Sequence, residues 1–322
     1  MRTGRVVRLW RDELGPFPPY RLDNSALIAG YMLSAEYGTH IARGWGQPAC
    51  ALDAYIEFRH YTNDGSIKSG EREKGFYSLG GALRYFCEDE IDTAHKVEMR
   101  DRIMQGPPFS ADERAAILTY CEDDVRALAR LIKHIAPTIR SLPHAMVRAS
   151  VQWATAQQER RGIPLDLPLL ERTRAHWHAM QTDLVREMDT FGIYEIVDGK
   201  PHWRKDRWAD YVRRHGMSWP TYESGALDET DQTFREMEGK YPQIGPLREL
   251  RYSISKLRLN ALSVGNDGRN RALLGAYGTK TARHAPSNSK YVFGPAKWLR
   301  FFITPPPGRV LIHRDFVQQE PQ

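Results

Sequence analysis

Val310-Leu311-Ile312-His313-Arg314-Asp315-Phe316-Val317-Gln318-Gln319-Glu320 sets an apolar run before a carboxylate, and the choice of fold turns on how that order is read. Read as a buried strand, Val310 to Ile312 carries Asp315 at its end, a typical place for a rigid carboxylate to hold a divalent cation through hard oxygen ligands. Read as a loop, Asp315 is an ordinary turn or helix-cap residue. The surroundings favour the first reading. Gln318 and Glu320 follow at short fixed spacings, and upstream stand Thr281-Ala282-Arg283, Pro286-Ser287-Asn288-Ser289-Lys290, Phe293-Gly294-Pro295, Trp298-Leu299-Arg300 and the turn Pro305-Pro306-Pro307-Gly308.

Taken together these residues resemble the start of the palm in family A DNA polymerases, the Klenow-like enzymes of bacteria and phages. In that family a Thr-Gly-Arg element precedes an Asp-Tyr-Ser-Gln-Ile-Glu element, motif A, at about this separation. Here Asp315, Gln318 and Glu320 match motif A, with Phe316 for Tyr and Gln319 for Ile. The resemblance implies templated addition of deoxynucleoside triphosphates to a DNA primer-template, with two magnesium ions stabilising the attacking and leaving oxygens. It implies that Asp315 is a catalytic metal ligand and that Glu320 lies near the incoming sugar and excludes a 2′-hydroxyl. Arg283 and Lys290 would lie close to primer-template phosphates or bases, with Thr281, Asn288 and Gln318 in the same nucleotide-binding and DNA-binding set. Arg283 and Lys290 equally fit ordinary surface charges. A polymerase of this family also needs a fingers helix carrying Lys and Tyr and a later His-Asp-Glu hairpin. Only Pro321 and Gln322 follow Glu320, so the expectation is a chain cut short at both ends and inactive as a polymerase by itself.

Further upstream, Ser110 and Glu113 have the spacing of a capping box and open a helix that runs to about Ile135, before Pro137. At about 100° per residue, Ile117, Leu128, Cys121, Ile132 and Val125 fall on one side, with Leu131 and Tyr120 beside them and Asp124 in the middle of the apolar arc. Arg126, Lys133, Glu122, Arg130 and Asp123 cluster on the polar face. An ionised Asp facing a core needs a partner or a cation, and Tyr120 lies one turn away on nearly the same face. This Tyr-x-x-x-Asp pair resembles the third motif of the 3′-5′ proofreading exonucleases of the RNase H-like superfamily. There the Asp holds a metal and the Tyr orients the attacking water; an ion pair with a buried Arg explains Asp124 as well.

The remaining exonuclease elements are weak. Val6 to Trp10 reads as a short strand entering directly from the terminus, and the first motif, Asp-x-Glu, is absent and expected upstream of Met1. For the second motif, Asn-x-x-Phe-Asp, the nearest candidate is Met32-Leu33-Ser34-Ala35-Glu36, which makes Glu36 a candidate metal ligand or a surface residue. Asp53 and Glu57 read as a cap and a solvated charge.

After about Leu142 the pattern turns helical: Val147 to Arg160, ended by Gly162-Ile163-Pro164, then Leu169 to Phe191, Trp203 to His215 with a small insertion, and Asp231 to Glu238. The Gln-rich helix followed by Gly-Ile-Pro-Leu-Asp resembles the connection into the thumb of these polymerases. Leu247 to Leu262 interleaves Arg248, Arg251, Lys256 and Arg258 with apolar residues, which fits a basic helix flanking the duplex or a solvated helix with a core stripe. The fold expected is α/β plus mainly α: an incomplete RNase H-like exonuclease domain over 1–140, then helical thumb and first palm strand over 141–322.

The chain has 322 residues, 41% of them apolar, with 46 basic against 40 acidic residues and a formal charge of +6. That size admits two domains with real cores, and the basic excess favours a polyanionic partner without requiring one. Cys50, Cys87 and Cys121 are too few and too far apart for a disulfide framework or a zinc knuckle, and read as reduced thiols of a cytoplasmic protein. No run of some 18 apolar residues is present, so nothing indicates a membrane. The reading is thus a monomeric, bacterial or prophage-type family A polymerase piece. A non-catalytic nucleic-acid-binding remnant and a stand-alone exonuclease are its rivals.

Overall fold

The computed structural model describes residues 4–64, 73, 75–87, 93–256, 262–279, 281–294 and 297–314. Asp315, Gln318, Glu320 and Arg258 therefore lie outside the described residues. The chain is mixed α/β, about half helical, and forms two compact units: residues 1–161 with 273–287, and 162–272 with 288–322.

In the first unit, β1 (Ile28–Gly30) and β2 (Ala51–Asp53) pair in parallel, Gly30 opposite Asp53, and α1 (Ser34–Arg43) forms the crossover between them. The helix α2 (Ala54–Tyr61) continues directly from β2, capped by Asp53. Then follow α3 (Leu79–Cys87), α4 (Thr93–Gln105), α5 (Ala111–Ile135) and α6 (Leu142–Arg161). Small residues let these helices approach closely: Ala149 and Ala156 of α6 pack with Leu33, Tyr37 and Ala51, while Ala127, Leu131 and Ile135 of α5 pack with Phe58, Ala82 and Leu83.

The expected strand at Val6 to Trp10 is absent. Those residues are irregular and Val6 and Val7 are exposed, because no described strand offers them ladder hydrogen bonds. The capping box of α5 is present in both directions, Glu113 N–H to Ser110 Oγ at 3.1 Å and Ser110 N–H to Glu113 Oε2 at 2.7 Å. Its buried stripe is Ile117, Ala127, Leu131 and Ile135, whereas Cys121 and Val125 are exposed. The arc is rotated from the expected one because Ala127, a residue without a large apolar side chain, lies at its centre of packing. Glu57 is not a solvated charge: it is 3% exposed and both carboxylate oxygens accept from Arg148 of α6, at 2.8 and 2.7 Å.

The two units divide at 161/162, whereas the sequence pattern put the change at 140/141, since α6 packs on α1 and β2. A later hairpin also returns to the first unit: β7 (Leu274–Gly275) pairs antiparallel with β8 (Ala285–Pro286). Leu274 N–H donates to Glu159 Oε1 at 2.5 Å, and Arg59 Nη1 donates to the Tyr277 carbonyl at 2.6 Å.

The second unit begins at Gly162, whose φ of +61° ends α6 in the left-handed region. A Cβ there would stand 2.9 Å from the Asn270 carbonyl oxygen, so glycine lets β3 (Ile163–Pro164) pair antiparallel with β6 (Arg269–Asn270). The single helix expected over Leu169 to Phe191 is two, α7 (Leu167–Ala175) and α8 (Trp177–Met188), joined at His176. A hairpin, β4 (Tyr194–Val197) and β5 (Lys200–Trp203), turns through Asp198 and Gly199 at φ +50° and +71°, the double positive φ of a type I′ turn. Then come α9 (Lys205–Arg214), α10 (Asp231–Glu238) and α11 (Gly245–Lys256). One core gathers Trp208, Trp219, Phe234, Met237 and Leu247; the other gathers Leu165, Leu170, Trp177, Val292 and Phe302. Val310, Leu311 and Ile312 form no strand among the described residues and are 79%, 66% and 65% exposed, because no described strand pairs with them.

Candidate functional site

Asp53 closes β2 at the carboxyl end of the parallel pair and is 1% exposed. Its Oδ1 accepts N–H bonds from Met32, Tyr55 and Ile56 at 3.1, 3.0 and 3.3 Å, and its Oδ2 accepts from Leu33 at 2.8 Å. The carboxylate thus caps α2 and holds the turn into α1, where Met32 takes a left-handed φ of +70°. Burial pushes the Asp53 pKa up to about 6 against the pull of those four donors. Glu36 lies on the first turn of α1, and a Cβ on Gly30 would stand 3.4 Å from its carboxyl carbon. Its residue surface is exposed, yet crowding of the carboxyl against the strand end lifts its pKa to about 7, with repulsion from Asp53 adding to the loss of hydration. A carboxyl titrating near neutrality has the proton affinity that general acid–base work requires.

On α5, Asp124 keeps its place within the apolar arc and is half-buried. Its partner is Lys96 of α4, which makes an ion pair with Asp124 and also lies 5.9 Å from the centre of the Tyr120 ring. Burial raises the Tyr120 pKa, and the Asp124 charge raises it further, so the two side chains do meet. Among the described residues no group of three or more His, Cys, Asp or Glu is arranged to hold a metal ion. Asp124 and Glu36 are thus not gathered into the metal cluster expected of them: Lys96 supplies the cation that Asp124 needs, and the lone pairs of Asp53 face backbone donors. These residues do not fit a two-ion site.

Thr281 and Arg283 are exposed on the turn of the β7–β8 hairpin. Gly278 N–H bonds the Arg283 carbonyl at 2.9 Å, Ala282 N–H bonds the Thr279 carbonyl at 3.0 Å, and Arg283 N–H bonds Thr279 Oγ1 at 3.1 Å. The residue at the centre, Ala282, has φ +60°. That region disfavours any side chain with a Cβ and favours glycine.

Asn288 and Lys290 belong to the second unit and are exposed; Asn288 Oδ1 accepts from Lys290 N–H at 2.9 Å. The turn is held from beneath by Asn270, which is fully buried. Its Nδ2 donates to the Ser263 and Lys290 carbonyls at 2.6 and 2.7 Å, and its Oδ1 accepts from Val292 N–H at 2.7 Å. Arg251 is not free for a duplex. Its guanidinium lies 4.1 Å from the Trp203 and Phe234 ring centres and donates to the Glu229 carbonyl at 2.8 Å. Arg248 of the same helix pairs with Glu238 at 2.8 Å. Lys256 ends α11, and only its place there is described.

Lys96, Asn270 and the backbone of Ala282 were not singled out from sequence. Ala282 alone carried a signal, since it stands where the resembled Thr-Gly-Arg element has glycine.

No protein-family model matches the chain, and no curated protein matches it. Among solved structures it is similar to the POL domain of Pol1 from M. smegmatis in complex with DNA primer-template and dNTP, at 17% sequence identity and a TM-score of 0.48. The match covers 80% of this chain and 41% of that one. A likeness this distant carries no functional argument. Among the described residues no helix is long and apolar enough to cross a membrane.

Proposed function

We propose that the chain is a DNA-binding portion of a family A DNA polymerase, with a proofreading-type 3′-5′ exonuclease domain over residues 1–161 and thumb and early palm elements after it, the palm hairpin at 273–287 being counted with the first unit. The observation that carries this reading is the left-handed backbone of Ala282 within Thr281-Ala282-Arg283. The local fold of this chain asks for glycine at the position where the resembled element, Thr-Gly-Arg, has it. Motif A, at Asp315, Gln318 and Glu320, and the pairing of Tyr120 with Asp124 support the same reading from the sequence side.

In this account Arg283 and Lys290 contact primer-template phosphates, and Asp315 holds magnesium in the synthetic reaction of the family. The second palm carboxylate comes in that family from a His-Asp-Glu element, which these 322 residues do not contain. DNA binding is the activity this reading assigns to the residues present. The Lys96–Asp124 pair and the engaged Asp53 weigh against a stand-alone exonuclease.

Binding of fluorescent primer-template DNA, followed by anisotropy between 50 and 200 mM salt, tests this proposal. Phosphate contacts predict affinity that falls steeply with salt, and the Arg283→Ala/Lys290→Ala variant is expected to bind more weakly with a slope smaller by about two. An unchanged slope in the variant would remove both residues from the interface.

A further inference from the structure

A cavity of about 510 Å³ lies in the first unit, between α2 with the turn Thr62–Asp64 and the segment that leads from Thr138 into α6. Its lining includes none of the residues that carry the polymerase resemblance. Among the described residues of that lining Glu57 is the one carboxylate, and both of its oxygens are occupied by Arg148, so the pair is internally neutral. Apart from Tyr61, the rest of the titratable lining among the described residues is cationic or becomes so on protonation: Arg140, His60 and His144. The side chains of Arg140 and His144 make no hydrogen bond or ion pair with a described residue, and both residues are exposed. His60 is held below the usual imidazole pKa first by burial and then by the charge of Arg148, with Arg140 adding to it and Glu57 opposing. Among the described lining residues positive charge prevails.

We propose that this cavity binds the phosphate of a nucleotide, free or within a nucleic-acid strand. Arg140 presents a planar fork of donors suited to phosphate oxygens. His60 and His144 add donors that strengthen on protonation, which a bound anion favours. The Ser141 hydroxyl lies in the same lining at the start of α6, a 20-residue helix whose first-turn N–H groups have no intrahelical acceptor. The side-chain cations carry the assignment, and the helix end adds to it. The volume exceeds what an inorganic anion fills and falls in the range of small-molecule sites. Tyr61, half-exposed on the same lining, packs against Tyr85 and Phe86, and the exposed part of its ring is where a base would stack.

The full chain is titrated with deoxyadenosine monophosphate, deoxyadenosine, inorganic phosphate and a short single-stranded oligonucleotide. Calorimetry gives affinity, and the imidazole Cε1–H signals of His60 and His144 report the site. The expected result is binding of the monophosphate with shifts at both histidines, no matching response to deoxyadenosine, and at least about tenfold weaker binding in Arg140→Gln/His144→Asn at an unchanged melting temperature. Arg140→Lys keeps the charge but not the planar fork, and is expected to bind more weakly than the wild type and more tightly than Arg140→Gln. Displacement of the monophosphate by the oligonucleotide identifies a strand as the source of the phosphate, and failure to displace identifies a free nucleotide. Equal binding of deoxyadenosine and its monophosphate, or histidine signals that do not move in the wild-type chain, overturns the proposal.

Discussion

The Asp53 carboxyl exchanges water for four backbone N–H donors, and it does so at a cost that depends on pH. Its folded pKa, about 6, stands above the ordinary unfolded value near 3.9. Between those values the folded state binds more protons than the unfolded one, so the wild type loses stability as pH rises through about 4 to 6. Asn at this position keeps an acceptor for the three donors at Oδ1, loses the Leu33 bond at Oδ2, and does not titrate. The stability of Asp53→Asn relative to wild type should therefore improve by up to about 3 kcal/mol from pH 4 to pH 7. Urea unfolding at several pH values measures this, and parallel curves would remove the burial argument. Asn270→Ala deletes three buried hydrogen bonds, and denaturant unfolding should show a loss of about 3 kcal/mol or more. Neither residue announced itself in sequence beyond the capping role of Asp53. Met32 and Leu33 lie 21 and 20 positions from Asp53, and a single polar residue in no periodic pattern gives no sign of such partners.

Elements whose signals are local were readable. The capping box of α5, the bounds of α10 and the glycine end of α6 all depend on residues within one turn of one another. Asp198-Gly199 carried an equally local hairpin signal that the helical reading passed over. The buried arc of α5 was misplaced because apolar bulk was counted, whereas Ala127 is buried for its smallness. Strands failed for a different reason: Val6 to Trp10 and Val310 to Ile312 have the composition of strands, but pairing is not a property of a segment alone. The β7–β8 turn makes its own prediction. Ala282→Gly removes the left-handed strain of about 1–2 kcal/mol and adds unfolded-state entropy of about 0.5–1 kcal/mol. A net stabilisation of about 0.5–1 kcal/mol should appear in urea unfolding. Destabilisation would mean that the turn does not favour glycine and would withdraw the main support for the Thr-Gly-Arg likeness.

At the scale of the molecule, the mixed α/β class was legible from periodicity, but the expected change to a mainly helical second half is not what the described residues show: the longest helices, α5 and α6, lie before residue 162, and β3 to β8 lie after it. The return of residues 273–287 to the first unit was not legible, since it rests on bonds such as Glu159 to Leu274 and Arg59 to Tyr277 that span 115 and 218 positions. The basic excess of six charges is consistent with a polyanionic partner, but the particular cations were poorly forecast: Arg251 stacks between rings and Arg248 pairs with Glu238. Of the forecast cations whose side chains are described, Arg283 and Lys290 are exposed, and the account assigns them to DNA. The most direct test is an assay of labelled primer-template DNA with magnesium and deoxynucleoside triphosphates, following primer extension, primer degradation and retention together, in the wild type, Asp315→Ala and Asp124→Ala. The account predicts salt-sensitive retention with neither extension nor degradation in all three. Extension that disappears in Asp315→Ala, degradation that disappears in Asp124→Ala, or no retention of DNA at any salt concentration would contradict it.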